Sequence, residues 1–166
     1  MDIAVRHAEE SDLDALAAYE VTIAEISFGD DAVADPAIHR KKLAKALDRD
    51  REGMLVATAA PADADGGGTD GSGESVVGWL WLAVNTNFLT GQRYANFRSL
   101  AVSEGPGSDR VGELLLDRAL AYARAEQLTE IVGKVHVGNE SMRVLYRKYG
   151  FSPAALTMKR RLTVDS

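Results

Sequence analysis

The chain has 166 residues, 46% of them hydrophobic and only four of them proline, which is enough for one domain with a full core. Its 19 Lys and Arg against 25 Asp and Glu leave a net charge of -6, so most of the surface repels a polyanion and nucleic acid is excluded as the main partner. The absence of cysteine excludes disulfides, thiolate metal sites and a cysteine nucleophile.

The opening MDIAVRHAEESD is charged where a secretory leader is apolar, and no run approaches the roughly 18 apolar residues of a membrane span. The expectation is a cytoplasmic protein with no membrane partner. Ile3 to His7 reads as a first strand. Ser11 with Asp14 three positions on opens an amphipathic helix to about Ser27, closed by Gly29, Asp30 and Asp31. A second helix starts after Asp35-Pro36, with Ile38, Leu43, Ala46 and Leu47 as its apolar stripe. Met54 to Ala59 is a strand. Ser75 to Asn85 is another, central in its sheet because Val77, Trp79, Trp81 and Ala83 alternate with the equally apolar Val76, Leu80, Leu82 and Val84. Between them, at about 61–74, PADADGGGTDGSGE has nothing to bury and reads as a flexible hairpin insert. Arg93 to Val102 is a strand, Arg110 to Glu126 a helix, Glu130 to Val137 a strand, Asn139 to Tyr149 a helix stopped by Gly150, and Leu156 to Leu162 a last strand. The order βααβββαβαβ predicts an α/β fold with a mixed sheet and helices on its faces.

Two stretches carry chemistry. In SLAVSEGPGSDRVGELLLDRAL, Ser99 to Leu120, a strand feeds a glycine-rich turn and a helix. Gly107 to Leu114 has the frame of a nucleotide-triphosphate loop, but Glu113 stands where that loop needs lysine and Leu114 where it needs a hydroxyl. The glycine spacing also misses the dinucleotide fingerprint. What remains is a turn opening a helix, whose unpaired N–H groups and positive dipole end suit an anion. A purely structural turn would ask for the same glycines. In VHVGNESMRVLYRKYGF, Val135 to Phe151, Asn139 stands at a helix N-terminus after a strand, and Tyr146 follows two turns later on the same face. The pair reads either as a cap and a core aromatic or as two groups meeting one ligand. His7, His39 and His136 lack ligand spacing, so no metal site is expected, and Trp79 and Trp81 read as core.

From Phe97 to Phe151 the chain resembles the GNAT superfamily of N-acetyltransferases, whose N-x-x-x-x-x-L-Y-x-x-x-G-F motif is matched by NESMRVLYRKYGF, while the preceding strand, loop and helix match its acyl-CoA loop. The resemblance implies a mixed, mostly antiparallel central sheet flanked by helices on both faces, in a single domain spanning 1–166. It implies that the backbone of Leu100, Ala101 and Val102 pairs with the pantetheine arm of acetyl-CoA. The loop Gly107, Ser108, Asp109, Arg110, Val111 and Gly112 would bind the pyrophosphate, with Gly107 where relatives carry Gln or Arg and Arg110 where they carry glycine. Asn139 would contact the cofactor, Tyr146 would give the proton to the leaving thiolate, and the Val102 N–H would face the thioester oxygen. Many relatives place a carboxylate on the strand before the loop, but here Tyr94, Asn96 and Arg98 stand two-by-two before Leu100. Glu25, Asp30 and Asp31 are then the acids expected to line the acceptor site, for a primary amine of a small molecule or peptide. Folds of this kind often dimerise, which keeps a homodimer open. The rival reading is a module of the same fold that binds acyl-CoA or a partner without turnover.

Overall fold

The computed structural model of the protein describes residues 2–60 and 73–163. Most of the insert expected at 61–74 lies outside the described residues. In chain order the elements are β1 (Ile3–His7), α1 (Leu13–Phe28), α2 (Pro36–Asp50), β2 (Met54–Ala59), β3 (Ser75–Thr86), β4 (Arg93–Val102), α3 (Ser108–Ala125), β5 (Ile131–Val132) and α4 (Glu140–Lys148). The five strands form one sheet in sequence order, antiparallel from β1 to β4 and parallel between β4 and β5.

Charge and capping fix where the first helices begin. The capping box is Glu9 with Asp12, two residues before the expected Ser11 and Asp14. Asp12 is buried, holds the Arg6 guanidinium through both carboxylate oxygens at 2.8 and 3.0 Å, and so ties β1 to the start of α1. Asp14 instead accepts from Arg40 of α2 at 2.7 Å. Asp35 caps α2 by accepting the Ala37 N–H at 2.9 Å, with Pro36 in the first turn. Leu43, Ala46 and Leu47 are buried as their spacing predicts, whereas Ile38 stays exposed because it lies one turn before the buried stripe begins.

The sheet separates two cores. Leu13, Leu16 and Ala17 of α1 and Leu43, Ala46 and Leu47 of α2 pack with Trp79 and Trp81 on one face. Leu80, Leu82, Phe97, Leu115, Leu116 and Tyr146 pack with α3 and α4 on the other. Two bulges set which side chains go where. In β3 the register skips Val77, so Val76 rather than Val77 shares the tryptophan face. In β4 it skips Arg98: Trp81 opposes Ser99 while Leu82 opposes Phe97. Leu100 and Phe97 therefore share a face although three positions apart, and Arg98 lies over the Trp81 ring on the α1 side, 5.8 Å from its centroid.

Two expected strands differ. The strand over Glu130 to Val137 shrinks to Ile131–Val132, and no strand forms over Leu156 to Leu162, where Leu156, Met158 and Leu162 are exposed. A two-residue edge strand offers almost no ladder for another strand to extend. Arg161 of this segment pairs instead with Asp31 at 2.9 Å.

Candidate active site

The short β5 shapes β4's outer edge. β5 pairs with β4 only at Ala95 and Asn96, so beyond Phe97 the two strands part. The alternating pattern of an antiparallel ladder then decides which amides are free. The Ser103 N–H donates to the Val77 carbonyl at 2.9 Å, which puts Ala101, opposite Trp79, in a hydrogen-bonded pair and spends its amide on β3. Leu100 and Val102 fall in the other class of pair, and their N–H and C=O groups point to the open edge.

That edge runs into the loop Ser103 to Gly107. Gly107 takes the left-handed conformation, φ 85°, and opens α3, with no atom of the described residues within 4 Å of where a side chain would start. The Ser108 N–H donates to the Gly105 carbonyl and the Val111 N–H to that of Gly107. Among the described residues no side chain caps α3, and none offers an acceptor to the Asp109 and Arg110 N–H groups. The Arg110 guanidinium lies outside, 3.7 Å from Glu113, and Glu113 also pairs with Lys148 of α4. Lys148, reinforced by Arg110, holds the Glu113 carboxyl below the usual carboxylate range. The side chain of Val111 is buried against Gly78, and a side chain at Gly112 would meet Leu145 at 3.0 Å, so these two residues pack α3 onto the sheet and α4.

Asn139 caps α4, its Oδ1 accepting from the Met142 N–H at 3.2 Å, and its Nδ2 remains as a donor. Tyr146 is buried in the wedge where β4 and β5 part. Its ring stacks on Phe97 with centroids 5.8 Å apart and lies 5.0 Å from the Phe151 ring. A Cβ at Gly133, the first residue after β5, would stand 2.9 Å from both Cζ and Oη of Tyr146. Burial pushes the Tyr146 phenol well above the ordinary tyrosine value, so it stays protonated at neutral pH. Gly150, at φ 81°, returns the Phe151 N–H to the Tyr146 carbonyl at 3.0 Å and sets Phe151 against the ring.

Glu25 and Asp30 are exposed at the end of α1 and in the turn after it, and Asp31 is held by Arg161. Among the described residues no hydrogen bond or ion pair joins these three acids to β4 or α4. The histidines have local partners: His136 accepts from the Gly138 N–H, His39 meets the Val33 carbonyl, and His7 lies 3.9 Å from Glu52. Among the described residues no helix is long and apolar enough to cross a membrane.

One acid escaped the sequence reading. Glu20 follows Ala17 by three residues and Leu16 by four, so it continues the sheet-facing stripe of α1, and its Oε1 is buried without a partner among the described residues. The signal was a carboxylate on an apolar stripe.

A strand edge left open toward the N-terminus of α3, with a buried tyrosine where the strands part, is the geometry of the candidate site. The profile of the Acetyltransferase (GNAT) family matches residues 23–151, and the chain belongs to that family. Among solved structures the fold is similar to that of a probable acetyltransferase (22% identity, TM-score 0.66, 100% of this chain and 99% of that one). It is also similar to a possible acetyltransferase from Clostridium difficile 630 (16%, TM-score 0.70, 98% and 99%) and to a Trypanosoma brucei acetyltransferase (18%, TM-score 0.64, 97% and 100%). No curated protein matches the chain in sequence.

Proposed function

We propose that the protein is an N-acetyltransferase that moves an acetyl group from acetyl-CoA to a primary amine of a small molecule or peptide, by direct attack in a ternary complex. The observation that carries this reading is the pairing of free backbone groups at Leu100 and Val102 with those in the first turn of α3, with Tyr146 buried where β4 and β5 part.

The residues present fit the cosubstrate. The N–H groups of Asp109 and Arg110, with the dipole of an 18-residue helix behind them, suit a pyrophosphate, and Gly107 leaves the approach clear. Ser108, Val111 and Gly112 shape that turn rather than supply its free donors. Leu100 and Val102 offer a strand edge to the amide-bearing pantetheine arm, Ala101 holds that edge to β3, and Asn139 Nδ2 is a further donor. Acetyl-CoA supplies a thioester whose carbonyl is open to attack. The Val102 N–H would stabilise the oxyanion as the C–N bond forms, and Tyr146 would protonate the sulfur as the C–S bond breaks. Glu25 and Asp30 would attract a cationic acceptor. We take 1–166 as a single domain acting in the cytoplasm.

The test is the melting temperature with CoA, acetyl-CoA and ATP in parallel. A ligand at a hundredfold its Kd adds about 2.7 kcal/mol. The expected outcome is a shift of several degrees with both CoA forms and none with ATP, followed by thiol release when amines are supplied, a readout to which a cysteine-free protein adds no background. Binding without thiol release for any amine would make it the non-catalytic acyl-CoA module instead. No shift with either CoA form would end both readings.

A further inference from the structure

At the fork where β5 leaves β4, the two faces of the sheet hold different things. The α3 face is filled: Tyr146 packs on Phe97 and Phe151, and Gly133 lies close against its hydroxyl. Ala95 and Phe97 belong to that side, so alternation sends Tyr94 and Asn96 to the α1 face, together with Asn85, which opposes Tyr94 on β3. These three side chains are polar and only half-buried. Asn96 is the last residue of β4 that pairs with β5, so it stands at the fork itself. Asn85 Nδ2 donates to Asn96 Oδ1. That bond leaves Asn96 Nδ2 as a donor and Asn85 Oδ1 as an acceptor, neither with a partner among the described residues.

Arg98 adds a charge to this face. It is the residue that the β4 bulge leaves unpaired, two positions past Asn96 and bonded directly to Phe97, whose ring stacks on Tyr146. Bulges re-aim side chains, and this one sets the guanidinium over the Trp81 ring, 5.8 Å from its centroid, with Lys42 Nζ of α2 6.0 Å from the same centroid. The ring is fixed by its Nε1, which donates to Asp50 at 3.2 Å, and Asp50 is already engaged by Arg49 through both carboxylate oxygens. Among the described residues neither Arg98 nor Lys42 has an acid partner. Two positive charges therefore meet at one ring beside the fork, on a chain whose net charge is -6. The face of an indole attracts a guanidinium without neutralising it. An arginine oriented in this way, with its N–H groups unspent, suits a carboxylate.

We infer that the acceptor is an α-amino acid and that Arg98 selects it by its carboxylate. The inference rests on the acetyl-transfer reading, in which the acyl group would lie at the fork, at the inner end of the open edge. The α3 face is occupied there, so the amine enters from the α1 face, over Asn96. The Cα atoms of Phe97 and Arg98 are about 3.8 Å apart, which keeps an anion bound at Arg98 within a few bonds of an amine at the fork. An α-amino acid has that spacing; a long diamine or a peptide lysine does not. Arg98 and Asn96 Nδ2 take the carboxylate, and Asn85 Oδ1 accepts from the amine. The neutral amine attacks the thioester carbon, the C–N bond forms and the C–S bond breaks. The Tyr146 phenol proton passes to the sulfur, the surplus amine proton passes to solvent, and solvent returns one to Tyr146. The products are the N-acetyl amino acid and CoA.

The experiment follows thiol release from saturating acetyl-CoA with each L-amino acid and with its own C-terminal amide, and with ethylamine, ethylenediamine and O-phosphoethanolamine. In wild type at least one amino acid is expected to exceed its amide about tenfold or more in kcat/KM, although the less basic amine of the amide is more often neutral at pH 7. Arg98→Met should lower that acid-to-amide ratio about 10–100-fold, mainly through the KM for the amino acid, while the melting shift with acetyl-CoA persists. Arg98→Lys, which keeps the charge but loses the planar pair of donors, should restore only part of the ratio. A merely structural role would slow acid and amide alike and leave the ratio unchanged, which overturns the assignment. Wild type that uses the amides or the uncharged and cationic amines as well as the acids, or that prefers O-phosphoethanolamine to all of them, also overturns it and leaves acetyl transfer standing. Wild type that binds acetyl-CoA but releases no thiol with any acceptor overturns both.

Discussion

The two halves of β4 are the same strand with opposite fates. At Ala95 and Asn96 both edges are occupied, by β3 and by the two residues of β5; from Phe97 to Val102 only the β3 edge is. The difference arises outside β4. Gly133 and Tyr146 fill the fork at the point where β5 leaves, and the chain then turns away to cap α4 at Asn139. An open strand edge is ordinarily a hazard for aggregation, and here Leu100 and Val102 are half-buried, packed against the core that α3 and Tyr146 share.

Four changes bear on that comparison. Tyr146→Phe keeps the ring that wedges the fork and removes only the hydroxyl, so it should leave acetyl-CoA binding intact and lower kcat about 10²–10⁴-fold in the thiol-release assay. Tyr146→Ala removes the wedge as well, and denaturant unfolding should show a loss of about 3–5 kcal/mol. Gly133→Ala forces a methyl group into contact with the Tyr146 ring and hydroxyl; it should cost about 1–3 kcal/mol and reduce kcat more than it reduces acetyl-CoA affinity. Gly107→Ala, at a positive φ, should cost about 1 kcal/mol and, by tightening the first turn of α3, weaken CoA binding in a titration.

pH sharpens the same contrast with smaller effects. Because burial raises the Tyr146 phenol in the folded state, the folded protein holds this proton more tightly than the unfolded chain does. Its contribution to stability is complete below about pH 10 and is lost as pH rises toward the higher folded value. Melting curves from pH 9 to 11 should fall more steeply for wild type than for Tyr146→Phe. On the far side of the loop Glu113 behaves in the opposite sense. Its lowered value means that the Lys148 pairing is present at neutral pH and fades as pH falls through the folded value. Lys148→Ala should lower the melting temperature slightly at neutral pH and low salt, and less at acid pH or high salt.

Much of this was legible along the chain. Asp35-Pro36 marked a helix start, the two apolar faces of Ser75 to Asn85 marked a central strand, and Asn139 and Gly150 marked the two ends of α4. These signals are local: caps, turns and alternation act over a few residues and need no partner. The motif around Tyr146 also pointed to the family that the profile match shows. The expected strand over Leu156 to Leu162 had the right alternation and failed because a strand also needs an edge to pair with, which β5 does not extend far enough to give.

Sequence by itself determined the order of elements as far as α4, the caps at Asp35, Asn139 and Gly150 and the residues that carry the family's motif, because each of these is written in neighbours along the chain. Tertiary structure alone decided the rest. The bulges at Val77 and Arg98 reverse which side chains share a face, and they exist only in the register between strands. The freedom of the Leu100 and Val102 amides depends on where β5 stops. The placing of α1 over the end of β4 depends on Tyr19 meeting Ser103, a contact between residues 84 positions apart.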